Sequence, residues 1–116
     1  MRVRAFAVAL CLAACSRTEE RPQDLLPREK FTEVLLESQL IEARVSQETV
    51  VDAGAAKPAQ RYYQDMFAAK GVSEEAFKKT FNWYVDHPAE LKDIYNDVLT
   101  DLQKRVDLAD STGTAH

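Results

Sequence analysis

Val72-Ser73-Glu74-Glu75-Ala76-Phe77-Lys78-Lys79-Thr80-Phe81-Asn82-Trp83-Tyr84-Val85-Asp86-His87-Pro88 is the stretch that decides the fold. Ser73 has the side chain of a helix N-cap, Glu74 and Glu75 fall in the first turn where the helix dipole favours acids, and Val72 can staple onto Phe77. The capping box is incomplete, because Ala76 stands where a glutamate would reach back. Phe77, Phe81 and Tyr84 then share one face at helical spacing, with Trp83 beside them. Asp86-His87-Pro88 ends this helix and opens another, since the residue before a proline leaves the helical region and Pro88 is preset for a first turn.

Outward from this joint the pattern stays helical. Downstream, Leu91, Ile94, Tyr95, Val98, Leu99 and Leu102 make a wide apolar face that predicts a helix from Pro88 to about Leu108. Upstream, a helix beginning near Pro58 ends at Lys70, with Gly71 as its left-handed cap, and presents Tyr62, Tyr63, Met66 and Phe67. Before it, Ser46 to Lys57 reads as a connection whose first part prolongs the preceding helix. That first helix opens at Pro27 and runs to about Val45. No stretch alternates with a period of two over strand length. The expectation is an all-α domain over residues 25–109, a small bundle of about four helices, followed by a disordered tail over 110–116 with no apolar residue larger than alanine.

The first helix is apolar on two sides. Phe31, Val34, Leu35, Ser38, Ile41 and Val45 fall together, and Leu36 and Leu40 fall opposite. Two readings follow. Neighbouring helices sandwich the helix inside its own domain, or Leu36 and Leu40, with Ala43 and Leu25 or Leu26, form an exposed patch that is the candidate partner surface.

The N-terminus carries a different message. Met1-Arg2-Val3-Arg4 is a short basic region and Ala5 to Leu12 an apolar run, the layout of a secretory signal peptide over residues 1–14. The run is shorter than the roughly 20 apolar residues of a membrane span. Its ending, Leu12-Ala13-Ala14-Cys15, resembles the lipobox of bacterial lipoproteins. That resemblance implies cleavage after Leu12, Ala13 and Ala14, with a lipid on Cys15 holding the protein to a membrane of the cell envelope. The outer membrane, facing the periplasm, is the expected site. An ordinary cleaved signal peptide with an incidental cysteine, or an uncleaved buried helix, are the alternatives. Residues 15–24 are polar, charged and broken by Pro22, and read as the acylated cysteine and a tether reaching roughly 30 Å when extended.

Removal of residues 1–14 takes Cys11, and acylation takes Cys15, so stability of the domain rests on packing without a disulfide. The 15 basic and 19 acidic residues give a net charge of −4, and loss of Arg2 and Arg4 leaves 13 basic against 19 acidic, a net charge of −6. A surface of that sign argues against nucleic acid, or an anionic bilayer, as a partner of the domain itself.

The helices also carry a family resemblance. Leu26-Pro27 ahead of an apolar helix with Phe31, Tyr62 or Tyr63 with Phe67, Phe77, Tyr84 three residues before His87-Pro88, then Ile94-Tyr95 and Val98 are similar to a family of small lipoproteins of Bacteroidetes-type bacteria. That family is catalogued as a domain of unknown function, number 4296. The similarity covers Leu25 to about Leu102 and implies a fold without implying chemistry. Where the family commonly has Asn-Pro, this chain has His87-Pro88, which suits a capping role.

No catalytic constellation emerges from the residues. His87 is the one histidine inside the predicted domain, and Ser73 and Ser38 sit at a cap and on a core-facing position, so no nucleophile, base and orienting acid converge. Glu90, Asp93, Asp97 and Asp101 stack on one helix face, but no glycine-turned loop supplies the six to eight oxygens calcium takes, and Lys92, Lys104 and Arg105 offset their repulsion. A solvated face is the expected role, with no metal and no cofactor. Three glycines occur and none lies in a phosphate-cradling run. The expected function is a non-catalytic interaction module that binds an envelope protein or peptide through a groove lined by aromatics. A periplasmic folding helper or enzyme is the alternative, and a purely structural envelope protein a third.

Overall fold

The computed structural model describes residues 20–52, 54 and 58–113. Cys15 and the cleavage residues Leu12, Ala13 and Ala14 lie outside the described residues. The described residues form four helices and no strand: α1 (Arg28–Val51), α2 (Ala59–Lys70), α3 (Glu74–Val85) and α4 (Pro88–Gly113). The all-α expectation holds, and so do the punctuating residues. Pro27 and Pro58 precede α1 and α2, Ser73 accepts the Ala76 N–H at 3.1 Å as the α3 N-cap, and Gly71 takes φ 65°. Only glycine adopts that left-handed turn without steric cost, and it lets the Gly71 and Val72 amides bond back to Ala68 and Phe67.

Ion pairs fix the helix directions. Arg28 pairs with Asp97 at 2.9 Å and Glu37 with Arg105 at 3.4 Å, so α1 and α4 run parallel. Lys70 pairs with Glu33 at 2.6 Å, while Tyr62 bonds Glu48 at the other end of α2, so α2 is antiparallel to α1. α3 then crosses back, and the Asp86-His87 joint returns the chain into α4. The Asp86 and His87 amides close α3 on Trp83 and Tyr84, and the His87 carbonyl accepts the Leu91 N–H at 3.0 Å to open α4.

The core gathers on α1. Phe31, Leu35, Leu36, Tyr84, Ile94 and Val98 form one buried cluster, and Val34, Met66 and Val72 a second. Phe31 is fully buried, with its ring centroid 4.9 Å from Tyr84 and 5.3 Å from Phe77. Three helices pack on α1, so both of its apolar sides are covered. Leu36 is only 3% exposed and belongs to the larger cluster, and Leu40 packs half-buried against it. The expected partner surface at Leu36 and Leu40 is therefore corrected: α4, laid parallel to α1, covers the side that α2 and α3 leave.

Two boundaries also move. α4 continues to Gly113, so residues 110–113 of the expected disordered tail are helical, though exposed. Serine and threonine hydroxyls at Ser111 and Thr112 bond back to Leu108 and Ala109 carbonyls there, a local support that does not need an apolar contact. At the other end, part of the expected free tether is docked. The Arg21 guanidinium donates to the Leu26 carbonyl and lies 5.5 Å from the Tyr84 ring and 5.9 Å from that of Trp83. Asp24 pairs with Lys79, Leu25 is buried, and the Leu26 amide donates to the Thr80 hydroxyl at 3.0 Å. The strap from Arg21 to Leu26 is a part of the domain because α3 offers it an aromatic shelf, a cation and a hydroxyl.

Candidate functional site

Five aromatic side chains remain half-exposed where α1, α2, α3 and α4 meet, and they surround a recess. Leu35, Phe77, Phe81 and Tyr95 line one part, a space of about 420 Å³ that is open to solvent. Tyr63 and Phe77 also line an adjoining space of about 430 Å³ between α2 and α3, where Phe67 joins them. The rings are set against one another, with Phe67 and Phe77 centroids 5.8 Å apart and Phe77 and Phe81 6.3 Å apart. Helical spacing explains the arrangement. Tyr63 and Phe67 are four apart on α2, as Phe77 and Phe81 are on α3, so each helix offers two rings to the same side.

The rim is polar and mostly uncharged. Gln39, Gln60, Gln64 and Asn82 border the two spaces and are exposed. The charged groups are largely engaged: Lys78 pairs with Glu74 at 2.8 Å, which raises the lysine pKa, and the Tyr63 hydroxyl donates to Glu42. Burial first, and that bond to a carboxylate second, push the Tyr63 phenol up to about 12, so it stays a neutral donor at physiological pH. The Ser38 hydroxyl, which faces the recess, is spent on the Val34 carbonyl at 2.8 Å.

The other sequence candidates fall elsewhere. His87 stacks on Trp83 with centroids 3.8 Å apart, and its Nδ1 lies 2.7 Å from the Trp83 carbonyl. A carbonyl only accepts, so Nδ1 carries the hydrogen and the ring ties the end of α3 to the start of α4. Asp97 and Asp101 of the carboxylate row pair with Arg28 and Lys104, the latter at 3.7 Å. Among the described residues no group of three or more His, Cys, Asp or Glu side chains could hold a metal ion, and no helix is long and apolar enough to cross a membrane. The periodicity of Tyr63, Phe67, Phe77, Phe81 and Tyr95 marks core-facing positions rather than a site, and the sequence leaves the carboxamide rim unmarked. Gln and Asn on exposed helix faces carry no signal until the tertiary fold sets Gln39 and Asn82 at one space and Gln60 and Gln64 at the adjoining one.

The arrangement is that of a small helical bundle with an aromatic recess bordered by neutral amides. The domain of unknown function DUF4296 matches residues 22–107, and the chain belongs to that family. The matched segment starts one residue after Arg21 and so includes most of the docked strap. No curated protein and no solved structure matches the chain.

Proposed function

We propose that the protein is a lipid-anchored cell-envelope protein whose helical domain binds another envelope protein or peptide without catalysing a reaction. The observation that carries this reading is the recess itself: five half-exposed rings from α2, α3 and α4 line two adjoining spaces, while Phe31 and Tyr84 are buried in the core. Contiguous apolar surface of that kind marks binding sites, and a rim of neutral amides supplies orientation without reactive groups. The lipid on Cys15, in the membrane facing the periplasm, supplies the address. With the strap docked from Arg21, five residues separate the anchor from the fold, a reach of at most about 20 Å. The domain then works close to the membrane surface and meets partners that share it.

Two measurements test the reading. The wild type partitions into detergent and incorporates labelled palmitate, and Cys15→Ala does neither, because two or more acyl chains are needed for stable anchoring. Affinity isolation from solubilised envelopes recovers a partner with the wild type but not with Gln64→Arg and Asn82→Arg combined. Both positions are exposed, so the double variant should melt as the wild type does. Unlabelled wild type in the soluble fraction would overturn the anchoring, and an unchanged partner with the double variant would overturn the recess as its site.

A further inference from the structure

We propose that the recess takes an extended polypeptide segment carrying apolar side chains, and holds it by its backbone amides as well as by those side chains. This deepens the reading of the recess as the binding site and rests on it.

The chemistry of the two layers selects the ligand. The floor, from Leu35, Phe77 and Phe81, offers rings and methyl groups, and the hydroxyls beside it are those of Ser38, Tyr63 and Tyr95, of which Ser38 and Tyr63 have given their hydrogens to the Val34 carbonyl and to Glu42. A sugar seated there would bury more hydroxyls than those few groups can partner, which is costly. An apolar side chain has no such groups. The border, from Gln39, Gln60, Gln64 and Asn82, has the opposite character. A carboxamide both donates and accepts, as a peptide unit does, so the two can pair side by side. An acyl chain lying across this border would strip water from the amides and return nothing, whereas a peptide backbone replaces each lost bond.

Two further features narrow the segment. Neighbouring side chains of an extended chain alternate in direction, so one set can enter the floor while the backbone lies at the level of the rim. A helix hides its amides in its own hydrogen bonds and would leave the carboxamides without partners. At the border Glu74 and Lys78 neutralise one another as a pair, which leaves the Glu42 carboxylate as the net charge. The local field therefore favours a neutral or basic segment over an acidic one.

The test uses the full chain purified from envelopes and held in lipid nanodiscs, with empty nanodiscs as the blank. The probe is a fluorescein-labelled octapeptide in which leucine or phenylalanine alternates with serine between terminal lysines, read by anisotropy. Its counterparts carry methylated backbone nitrogens in one case and terminal glutamates in the other. The expected result is saturable binding that weakens about tenfold or more on backbone methylation, on exchange of lysine for glutamate, and in Gln64→Met with Asn82→Leu, which keep apolar bulk but remove the amides. Equal binding of the methylated peptide, or unchanged binding by the double variant, would overturn the inference in favour of a site that takes any apolar chain. If no peptide binds while a folded envelope partner is still captured through the recess, this inference falls and the module reading stands. If no partner is captured either, the module reading falls with it.

Discussion

The Thr80 hydroxyl accepts the Leu26 backbone N–H at 3.0 Å and donates to the Ala76 carbonyl at 2.7 Å. This one fully buried side chain joins the incoming strap to α3 across most of the domain sequence. Thr80→Val keeps the shape but leaves the half-buried Leu26 amide without its acceptor, and should cost about 1–3 kcal/mol. Thr80→Ser keeps the bond and loses a methyl group, about 1 kcal/mol. Hydrogen exchange separates them: the Leu26 amide loses protection in the valine variant and keeps it in the serine variant.

Phe31 is the centre of the larger cluster, and its truncation to alanine should cost about 3–5 kcal/mol, a large share of the stability of so small a domain. Leu36→Ala should cost about 2–5 kcal/mol, because Leu36 is core and not partner surface. His87→Ala, which loses a stacking contact and a joint between two helices, should cost nearer 1 kcal/mol. Urea melts give the ranking, and a His87 loss as large as that of Phe31 would contradict it.

Tyr63 links stability to alkaline pH. A tyrosine phenol ordinarily titrates at 10.0, and burial with the bond to Glu42 pushes that of Tyr63 up to about 12, so the folded state keeps a proton that the unfolded state releases. Stability contributed by Tyr63 is therefore intact below pH 10 and falls as the pH rises toward 12. Tyr63→Phe should flatten that limb of the stability curve. In the wild type, ultraviolet absorbance should show Tyr62 and Tyr63 titrating later than free tyrosine, and Glu42→Gln should bring the Tyr63 step earlier.

The strap predicts an asymmetry between its two charged residues. The Asp24 and Lys79 side chains are more than half exposed, so Asp24→Ala should cost no more than about 1 kcal/mol. Arg21 sits over two rings and donates to a backbone carbonyl, and Arg21→Ala should cost about 1–3 kcal/mol. Thermal melts compared at low and high salt check this, with the Asp24 contribution vanishing in salt and that of Arg21 largely kept.

Much of this fold is written in local chemistry. Ser73, Gly71, Pro58 and Pro88 each act within one or two turns of where they stand, so their positions on helix ends could be read without knowing the neighbours. Leu36 and Leu40 could not be read that way, because their fate depends on which helix arrives beside α1. Periodicity shows that a side is apolar and says nothing of what covers it. Arg21 is a similar case: beside Pro22 and two glutamates it has the composition of a tether, and only the shelf of Trp83 and Tyr84 makes it part of the domain. The recess was half legible. Its rings stood out as aromatic pairs at helical spacing, while Gln39, Gln60, Gln64 and Asn82, drawn from three helices, have nothing in common in sequence.

Site-specific photocrosslinking in intact cells tests the binding role of the recess most directly. A photoreactive residue placed at Gln64, on the rim, is compared with one at Thr100, in the charged cleft between α1 and α4. A discrete adduct of higher mass is expected from position 64 and none from position 100, with the adduct lost in the Cys15→Ala background. Adducts of equal yield from both positions, or none from position 64, would contradict it.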